Sequence, residues 1–579
     1  MTDVGVLDVP AATVEVRDEF TVVDIVALAA LTSLCVGHYP MLLFRSYTSA
    51  LAVLAVLAPL GLYGLVRLAR QRTRDGSAAT VLVGWIVVAG LLSGAPMLAL
   101  KGTVGRDASG LIMIMVVCAW ALGRQMSGRG REIAPYLVLS LLTVNGLVGV
   151  VQVLLDVETG SMAMQFGRAV GFAPSSVYFG ALMAGGALLA ASLDRIRVPL
   201  RLGLVAFFGA AANLSGTRIA SLAGLLALIA FVVVRRHGQS VTRLAMLPAA
   251  FVVGTVLATV VSPLFSDVHS ATTRGTTGGG ERLQAWRYGL SAVAERPIAG
   301  WGFGRFRAAT QAHYSADFVR VSAFDDVRQA WFDAHNIVVN TAVSIGLVGL
   351  VIAVWWVWES RHVVSPALWF AIALALTWCA QPAGLATLPL VAILWGAGAR
   401  STAEPFEDRR AVAAAGSRRV ELVMVAIGVV IASYIVVADT QLKRAIDSGD
   451  PRRVEQAAEW YPGDAVVADV VAQSWLIGGG DDPAATQHVI DWSVRATERE
   501  SDRPYHWSRL GIRQAAAGDQ DAAVASVEHA IELQPWHRQS WLALLLIGNR
   551  WQDDELIARA SAALCELGED LKACRTSNG

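Results

Sequence analysis

About thirteen apolar runs, long enough or nearly long enough to cross a bilayer, govern what this chain can fold into. They lie near 20–37, 48–66, 79–99, 108–123, 134–155, 175–192, 199–214, 217–234, 243–262, 335–358, 364–380, 383–398 and 420–438. A helix crosses about 30 Å of hydrocarbon with about 20 residues, and with fewer where flanking side chains reach the headgroups. In lipid every backbone polar group needs a partner within the protein, which helices supply locally. The composition agrees: 55% hydrophobic and 16% charged residues over 579 positions fit a polytopic membrane protein rather than a soluble domain. The expected fold is all-α, with about 12–13 transmembrane helices in all, the last of them at 420–438 and the others in 20–400.

Arginine placement sets the expected orientation, because basic residues collect on the cytoplasmic side. Clusters follow the second span (Arg67, Arg70, Arg72, Arg74), the fourth (Arg124, Arg129, Arg131), the sixth (Arg195, Arg197, Arg201) and the eighth (Arg235, Arg236, Arg243). A further group (Arg400, Arg409, Arg410, Arg418, Arg419) marks the linker 401–419 before the last span. All fall on even-numbered connections. The reading is a multi-pass protein of the cytoplasmic membrane with a cytoplasmic tail at 1–19. A large outer loop at 263–334 and an extracytoplasmic C-terminal region complete it. Net charge is zero, which gives no reason to expect a nucleic-acid partner.

Beyond Asp439 the composition turns to charged and Ala-rich helical patterns. Trp507, Leu510, Gly511, Ala523, Ala530 and Pro535 fit the tetratricopeptide register, and Trp541 and Leu544 repeat Trp507 and Leu510 one 34-residue period later. Residues 440–579 are therefore expected to form a tetratricopeptide-like helical-repeat domain, either a stabilising cap or a dock for a protein partner. Cys565 and Cys574 would pair if that end faces an oxidising compartment. Cys35, Cys118 and Cys379 read as small core residues.

Charged groups near membrane depth are expensive and mark candidate sites. Arg218, in Ser215-Gly216-Thr217-Arg218, stands at the outer start of the eighth span, where basic residues are not expected. It either snorkels to outer headgroups or binds an anion at a helix start. In the outer loop, Arg282, Trp286 and Leu290 are spaced for one helix face, with Arg287 pointing to water. Pro297 to Gly304 makes a turn whose glycines, Gly300 and Gly302 among them, allow close backbone approach. His335, followed by Asn336, opens the tenth span. It is either a polar cap or a general base, for which an imidazole's ordinary pKa of about 6.5 is suited. His38, His269 and His313 lack such surroundings. No His/Cys/carboxylate spacing calls for a metal and no fingerprint calls for a nucleotide, so no cofactor is expected.

At these residues the chain resembles the O-antigen ligase/O-antigen polymerase superfamily of bacterial membrane glycosyltransferases. The resemblance rests on Ser215-Gly216-Thr217-Arg218, Arg282-Leu283-Gln284-Ala285-Trp286, Pro297 to Phe306, Ala334-His335-Asn336 and an earlier loop, Gly167 to Ser175. It implies a helical fold with an outer loop over a lateral, lipid-accessible cavity and a polyprenyl-diphosphate-linked glycan as donor. By the same resemblance Arg218 and Arg282 would bind the diphosphate and His335 would activate the hydroxyl of a glycan, lipid or protein acceptor. Trp286, Gly300, Gly302 and Asn336 would support them. The expected activity is transfer or polymerisation of the lipid-linked glycan in cell-surface polysaccharide biosynthesis, without a metal. The alternatives are a polysaccharide-lipid transporter or flippase, and a non-enzymatic assembly factor acting through the repeat domain.

Overall fold

Each of the thirteen apolar runs falls on helix, and between Val23 and Ala397 their buried residues form one continuous apolar core. The computed structural model describes residues 20–36, 45–103, 109–155, 168–236, 240–261, 278–321, 333–361, 365–385, 387–399, 410–479, 483–569 and 574. The tail at 1–19, Gly167, His38, His269, loop parts 263–277 and 322–332 and linker part 400–409 lie outside them. Among the described residues there is no strand.

The first ten helices are α1 (Val22–Val36), α2 (Arg45–Arg70), α3 (Arg74–Leu91), a short α4 (Pro96–Lys101), α5 (Gly110–Arg124), α6 (Gly128–Leu155), α7 (Ser176–Ser192), α8 (Val198–Leu214), α9 (Arg218–Arg235) and α10 (Val241–Val261). The large loop carries α11 (Gly278–Glu295), α12 (Phe306–Thr310) and α13 (Ala316–Val321). Four apolar helices follow: α14 (Ile337–Ser360), α15 (Pro366–Trp378), α16 (Leu388–Gly398) and α17 (Arg410–Asp447). The linker expected at 401–419 is thus already helical from Arg410. Seven helices (α2, α3, α6, α9, α10, α14 and α17) are long and apolar enough to cross a membrane. The shorter α1, α5, α7, α8, α15 and α16 fall on the other expected runs. Helix α7 is buried along almost its whole length, so it sits at the centre of the bundle.

Small residues set the packing distances, as they do where lipid gives no hydrophobic drive between helices. A side chain at Gly61 would run into the Cys118 carbonyl, and one at Gly396 into that of Trp120, so α2 and α16 press on α5 through bare backbone. Polar contacts close the two ends. At the end where α3 begins, Arg124 pairs with Asp75 at 2.7 Å and donates to the Ala399 carbonyl at 2.9 Å. Arg195 meets Glu132, and Arg201 and Arg235 converge on Asp194, at that same end. The loop helices and the C-terminal region occupy the other end, where Arg296 reaches the Ser93 carbonyl after α3 at 2.8 Å. There buried Asp439 of α17 accepts from Thr48 of α2 at 2.8 Å.

The tail holds α18 (Pro451–Ala458), α19 (Ala465–Gly478), α20 (Pro483–Arg499), α21 (Pro504–Ala517), α22 (Gln520–Leu533), α23 (Arg538–Trp551) and α24 (Asp554–Glu566). The hairpins α21–α22 and α23–α24 begin 34 residues apart (504 to 538, 520 to 554). Their matching tryptophans make matching bonds, Trp507 to the Ser501 carbonyl and Trp541 to that of Pro535, each 2.7 Å. Cys565 and Cys574 form a disulfide at the end of this tail.

One expected span is not continuous. Gly346 takes φ +69° and ψ −179°, which breaks α14. The break strands backbone groups, and the loop supplies their partners. Trp301 N–H donates to the Val343 carbonyl and Gly302 N–H to that of Ser344, both at 2.8 Å. Leu347 N–H donates to the Pro297 carbonyl at 2.7 Å, and Trp85 of α3 donates to the Ile345 carbonyl at 2.8 Å. Gly346 is irreplaceable on two counts: its φ is left-handed, and a Cβ would collide with the Ile298 carbonyl. Gly346→Ala should therefore lower stability by roughly 2–3 kcal/mol, read as a lower thermal midpoint of the detergent-solubilised protein. An unchanged midpoint would mean that the break does not depend on this glycine.

Candidate functional site

The half-helix of α14 before the break is led by Asp333-Ala334-His335-Asn336. Asn336 is its N-cap, accepting from Val338 and Val339 N–H at 3.0 and 3.1 Å and donating to the Cys379 carbonyl at 3.0 Å. His335 has φ +49°, a left-handed conformation that non-glycine residues rarely adopt. Asp333 holds it there. Its carboxylate accepts the His335 backbone N–H at 2.6 Å and lies 2.8 Å from Nδ1 of the same residue. With Nδ1–H directed at a carboxylate, a neutral imidazole carries its lone pair on Nε2. The two side chains are 25% and 27% exposed, so the pair is sheltered yet reachable.

The loop fixes this corner from above. Trp286 of α11 donates its indole N–H to the Ala334 carbonyl at 2.8 Å, between the two members of the pair. Arg282 lies one turn earlier on α11, half-buried, behind buried Glu281. Burial pulls its guanidinium below the ordinary value and Glu281 restores part of the loss. Arg287 is exposed, as its spacing predicts; Leu290, expected on the face of Arg282 and Trp286, is exposed as well. The apolar face of α11 consists instead of Ala285, Gly289, Ala292 and Val293.

The glycine turn approaches a helix. Gly300 (φ +72°) would place a Cβ 2.5 Å from the Val343 carbonyl and 2.6 Å from Gly346 N. A Cβ at Gly302 (φ +95°) would meet Ala99 and Ser93. The close contacts that these glycines permit are with α14, α4 and the α3–α4 connection. Arg296, 4.0 Å over the Trp301 ring, fastens the same turn. Gly300 and Gly302 thus touch the half-helix that carries His335 and not His335 itself.

Arg218 is the first residue of α9 and is exposed. Beside it stands Arg168, to which the residue-by-residue reading gave no role. Ala169 N–H bonds to the Leu214 carbonyl at 3.0 Å, which sets Arg168 against the Ser215–Arg218 segment. Its Cδ and Nε lie 2.9 Å from where a Cβ of Gly216 would be. Buried Gln152 accepts from Gly171 N–H and buried Asn145 from Phe172 N–H, each at 2.8 Å, so α6 holds this loop in place. Burial lowers the Arg168 pKa, and the positive charge of Arg218 lowers it further. Two guanidiniums close enough to disfavour each other form a place where an anion with more than one charge is welcome. The available signal was Arg168 itself, next to the Gly/Pro loop.

The predicted residues therefore fall into two groups at one end of the bundle. Trp286, His335 and Asn336 gather at the head of α14 together with Asp333, Gly300 and Gly302 sit at its break, and Arg282 lies one turn before Trp286 on α11. Arg218 stands with Arg168. Helix α15 joins the groups, since it packs along α9 and its C-terminal Cys379 carbonyl receives Asn336.

Fold and site together define a polytopic helical membrane protein with a His–carboxylate pair and arginines gathered at one end. Residues 203–354 match the O-antigen ligase family, a stretch that contains Arg218, Arg282, Trp286, Gly300, Gly302, His335 and Asn336. The match supports the O-antigen ligase superfamily and a membrane glycosyltransferase-like role in polysaccharide assembly. No curated protein matches the chain.

The Asp333–His335 pair has a measurable signature. Burial raises the Asp333 pKa, but the charge and hydrogen bonds of His335 outweigh it and leave the carboxyl below its ordinary value. A carboxyl that is more acidic folded than unfolded contributes stability above the unfolded pKa, about 4, and loses it as pH falls through the lower folded value. Asp333→Asn should thus be less stable than wild type at neutral pH, with the difference closing below about pH 4, as measured by denaturant unfolding across pH. A pH-independent difference would mean that the carboxyl is not held by His335.

Proposed function

We propose that this protein transfers a glycan from polyprenyl diphosphate to an acceptor hydroxyl at the outer face of the cytoplasmic membrane. The observation that carries the reading is the Asp333–His335 pair, fixed at the head of a broken helix within the O-antigen ligase match. In the reaction, His335 Nε2 takes the proton of the acceptor hydroxyl as its oxygen attacks the anomeric carbon. The bond from that carbon to the diphosphate breaks, and polyprenyl diphosphate leaves with the electron pair. The proton passes from the imidazolium to water. Asp333 orients the base and stabilises its charged form. Arg168, Arg218 and Arg282 bind the diphosphate and neutralise the charge that grows on it; guanidinium suits this because it stays charged and matches phosphate oxygens. Asn336 and Trp286 are positioning residues.

The orientation belongs to the same proposal, with the N-terminus cytoplasmic and residues 440–579 extracytoplasmic. Arginine-rich connections at one end support it, as does the Cys565–Cys574 disulfide in a tail packed at the other. The 34-residue offset of the last two hairpins supports a tetratricopeptide-like array that docks a partner or acceptor.

In proteoliposomes with a defined polyprenyl-diphosphate-linked oligosaccharide, His335→Ala should lose about 10²–10⁴-fold in kcat. Arg168→Ala and Arg218→Ala should each lose about 10–100-fold in kcat/KM, the worth of one charge-assisted phosphate contact. Wild-type rates from all three folded variants would sink the assignment of the site.

A further inference from the structure

The outer loop carries two arginines just past the glycine turn, Arg305 and Arg307, and both are buried against the tail. Arg307 Nη2 lies 2.7 Å from Glu500 Oε1, with the side chains 8% and 1% exposed. Arg305 Nη1 lies 2.6 Å from Asp502 Oδ2, and Gln311 donates to the Asp502 carbonyl at 2.7 Å. On the tail side Glu500 is also held by Arg503 and His506, each at 3.3 Å. Beside these ion pairs, Trp536, Trp541 and Leu567 of the tail share an apolar cluster with Phe306, Tyr314 and Phe318 of the loop. The junction is dry enough that burial, together with Arg307 and Arg503, pushes His537 down to about 3. A charge removed from water is tolerated only with a well-placed partner, so Arg307 keeps this position only while Glu500 is opposite.

From Glu500 the contacts run to the base without a gap. Arg307 adjoins Phe306, whose ring lies 3.1 Å from where a Cβ of Gly289 on α11 would stand. One turn back on α11, Trp286 bonds the Ala334 carbonyl between Asp333 and His335. In the other direction Arg305 ends the turn whose Trp301 and Gly302 N–H groups hold the half-helix at Val343 and Ser344. We infer that the C-terminal tail is a strut of the reaction site: Glu500 and Asp502, gripping Arg307 and Arg305, hold the outer loop so that His335 keeps its working position. They are positioning residues, and the inference rests on the reading of His335 as the base.

The test uses the full-length protein in nanodiscs and hydrogen–deuterium exchange of the amides in 333–345. Arg307→Met removes the cation and keeps the stem, while Arg503 and His506 still satisfy Glu500 on the tail side. Exchange in 333–345 should rise about tenfold or more, with the bundle helices other than α14 and the α23–α24 hairpin unchanged. Asp502→Asn is the milder arm, with a smaller rise at the same amides, and keeps the test readable if Arg307→Met loses its fold. Faster exchange confined to 306–313, with 333–345 as in wild type in both variants, overturns the strut. In turnover with the oligosaccharide donor, kcat should fall about tenfold or more while KM for the donor stays within about twofold, as expected for a displaced base. An equal loss carried wholly by KM also overturns it. The exchange arm needs no substrate. A wild-type protein without transfer activity would therefore sink the reaction proposed above and leave the strut to stand or fall on its own readout.

Discussion

The arrangement depends on a gap in a helix and on what fills it. At Gly346 the ladder of α14 stops, and amides and carbonyls are set free in a segment whose surroundings cannot hydrate them. Such a break survives only if other backbone completes it. The turn from Pro297 to Gly302 does so with three hydrogen bonds and Trp85 with a fourth. The consequence reaches past stability. A loop paired to a broken helix has one register, so Trp286, the turn and the head of α14 take fixed places relative to one another. Asp333 and His335 are then presented from a rigid corner, and the left-handed backbone at His335 is strain that the surrounding bonds sustain.

The electrostatics of the two ends differ in kind. At the end bearing Asp75, Arg124 meets a carboxylate and a carbonyl, a closed arrangement that ties three helices together. At the other end, Arg168 lies beside Arg218 and is opposed by its charge. In the proposed reaction, like charges set side by side would favour binding of a diphosphate, and more so as negative charge accumulates on a departing one.

The bundle was legible in the sequence because its signal is one-dimensional. A run of apolar residues states its own conformation in lipid, and all thirteen runs lie on helices. Arginine spacing likewise foretold which connections share an end. The break in α14 left no such mark, because Gly346 lies in Val343-Ser344-Ile345-Gly346-Leu347-Val348-Gly349, apolar but for Ser344 and with a second glycine that stays helical. What singles out Gly346 is the Ile298 carbonyl beside it, 48 positions away in the chain. Gly300 and Gly302 were legible as a turn, but not which backbone they approach. Arg218 stood out because charge is rare near membrane depth, Arg282 and His335 because they recur in the motifs of the resemblance. Asp333 and Arg168 needed the folded chain, since an acid two residues before a histidine is common and an arginine in a loop commoner still.

A long loop loses much conformational entropy when it orders, and the proposed reaction site built on it inherits that cost. Pairing with α14 fixes only one margin of the loop, the turn from Pro297 to Gly302. Its far side, α12 and α13, lies against the tail, where ion pairs buried with Glu500 and Asp502 replace water. A buried ion pair adds little net stability relative to an apolar contact of the same size, but it tolerates no alternative partner or register. Specificity of placement is what a proton-transferring group needs, because its efficiency falls steeply with small displacements. The disulfide reinforces the same margin. It closes the chain just past Leu567, which sits in the shared apolar cluster, and Gly568, which packs against Arg320 of α13. Helix α14, the large loop and the tail therefore hold the corner from three sides, and each supplies a constraint that the other two lack.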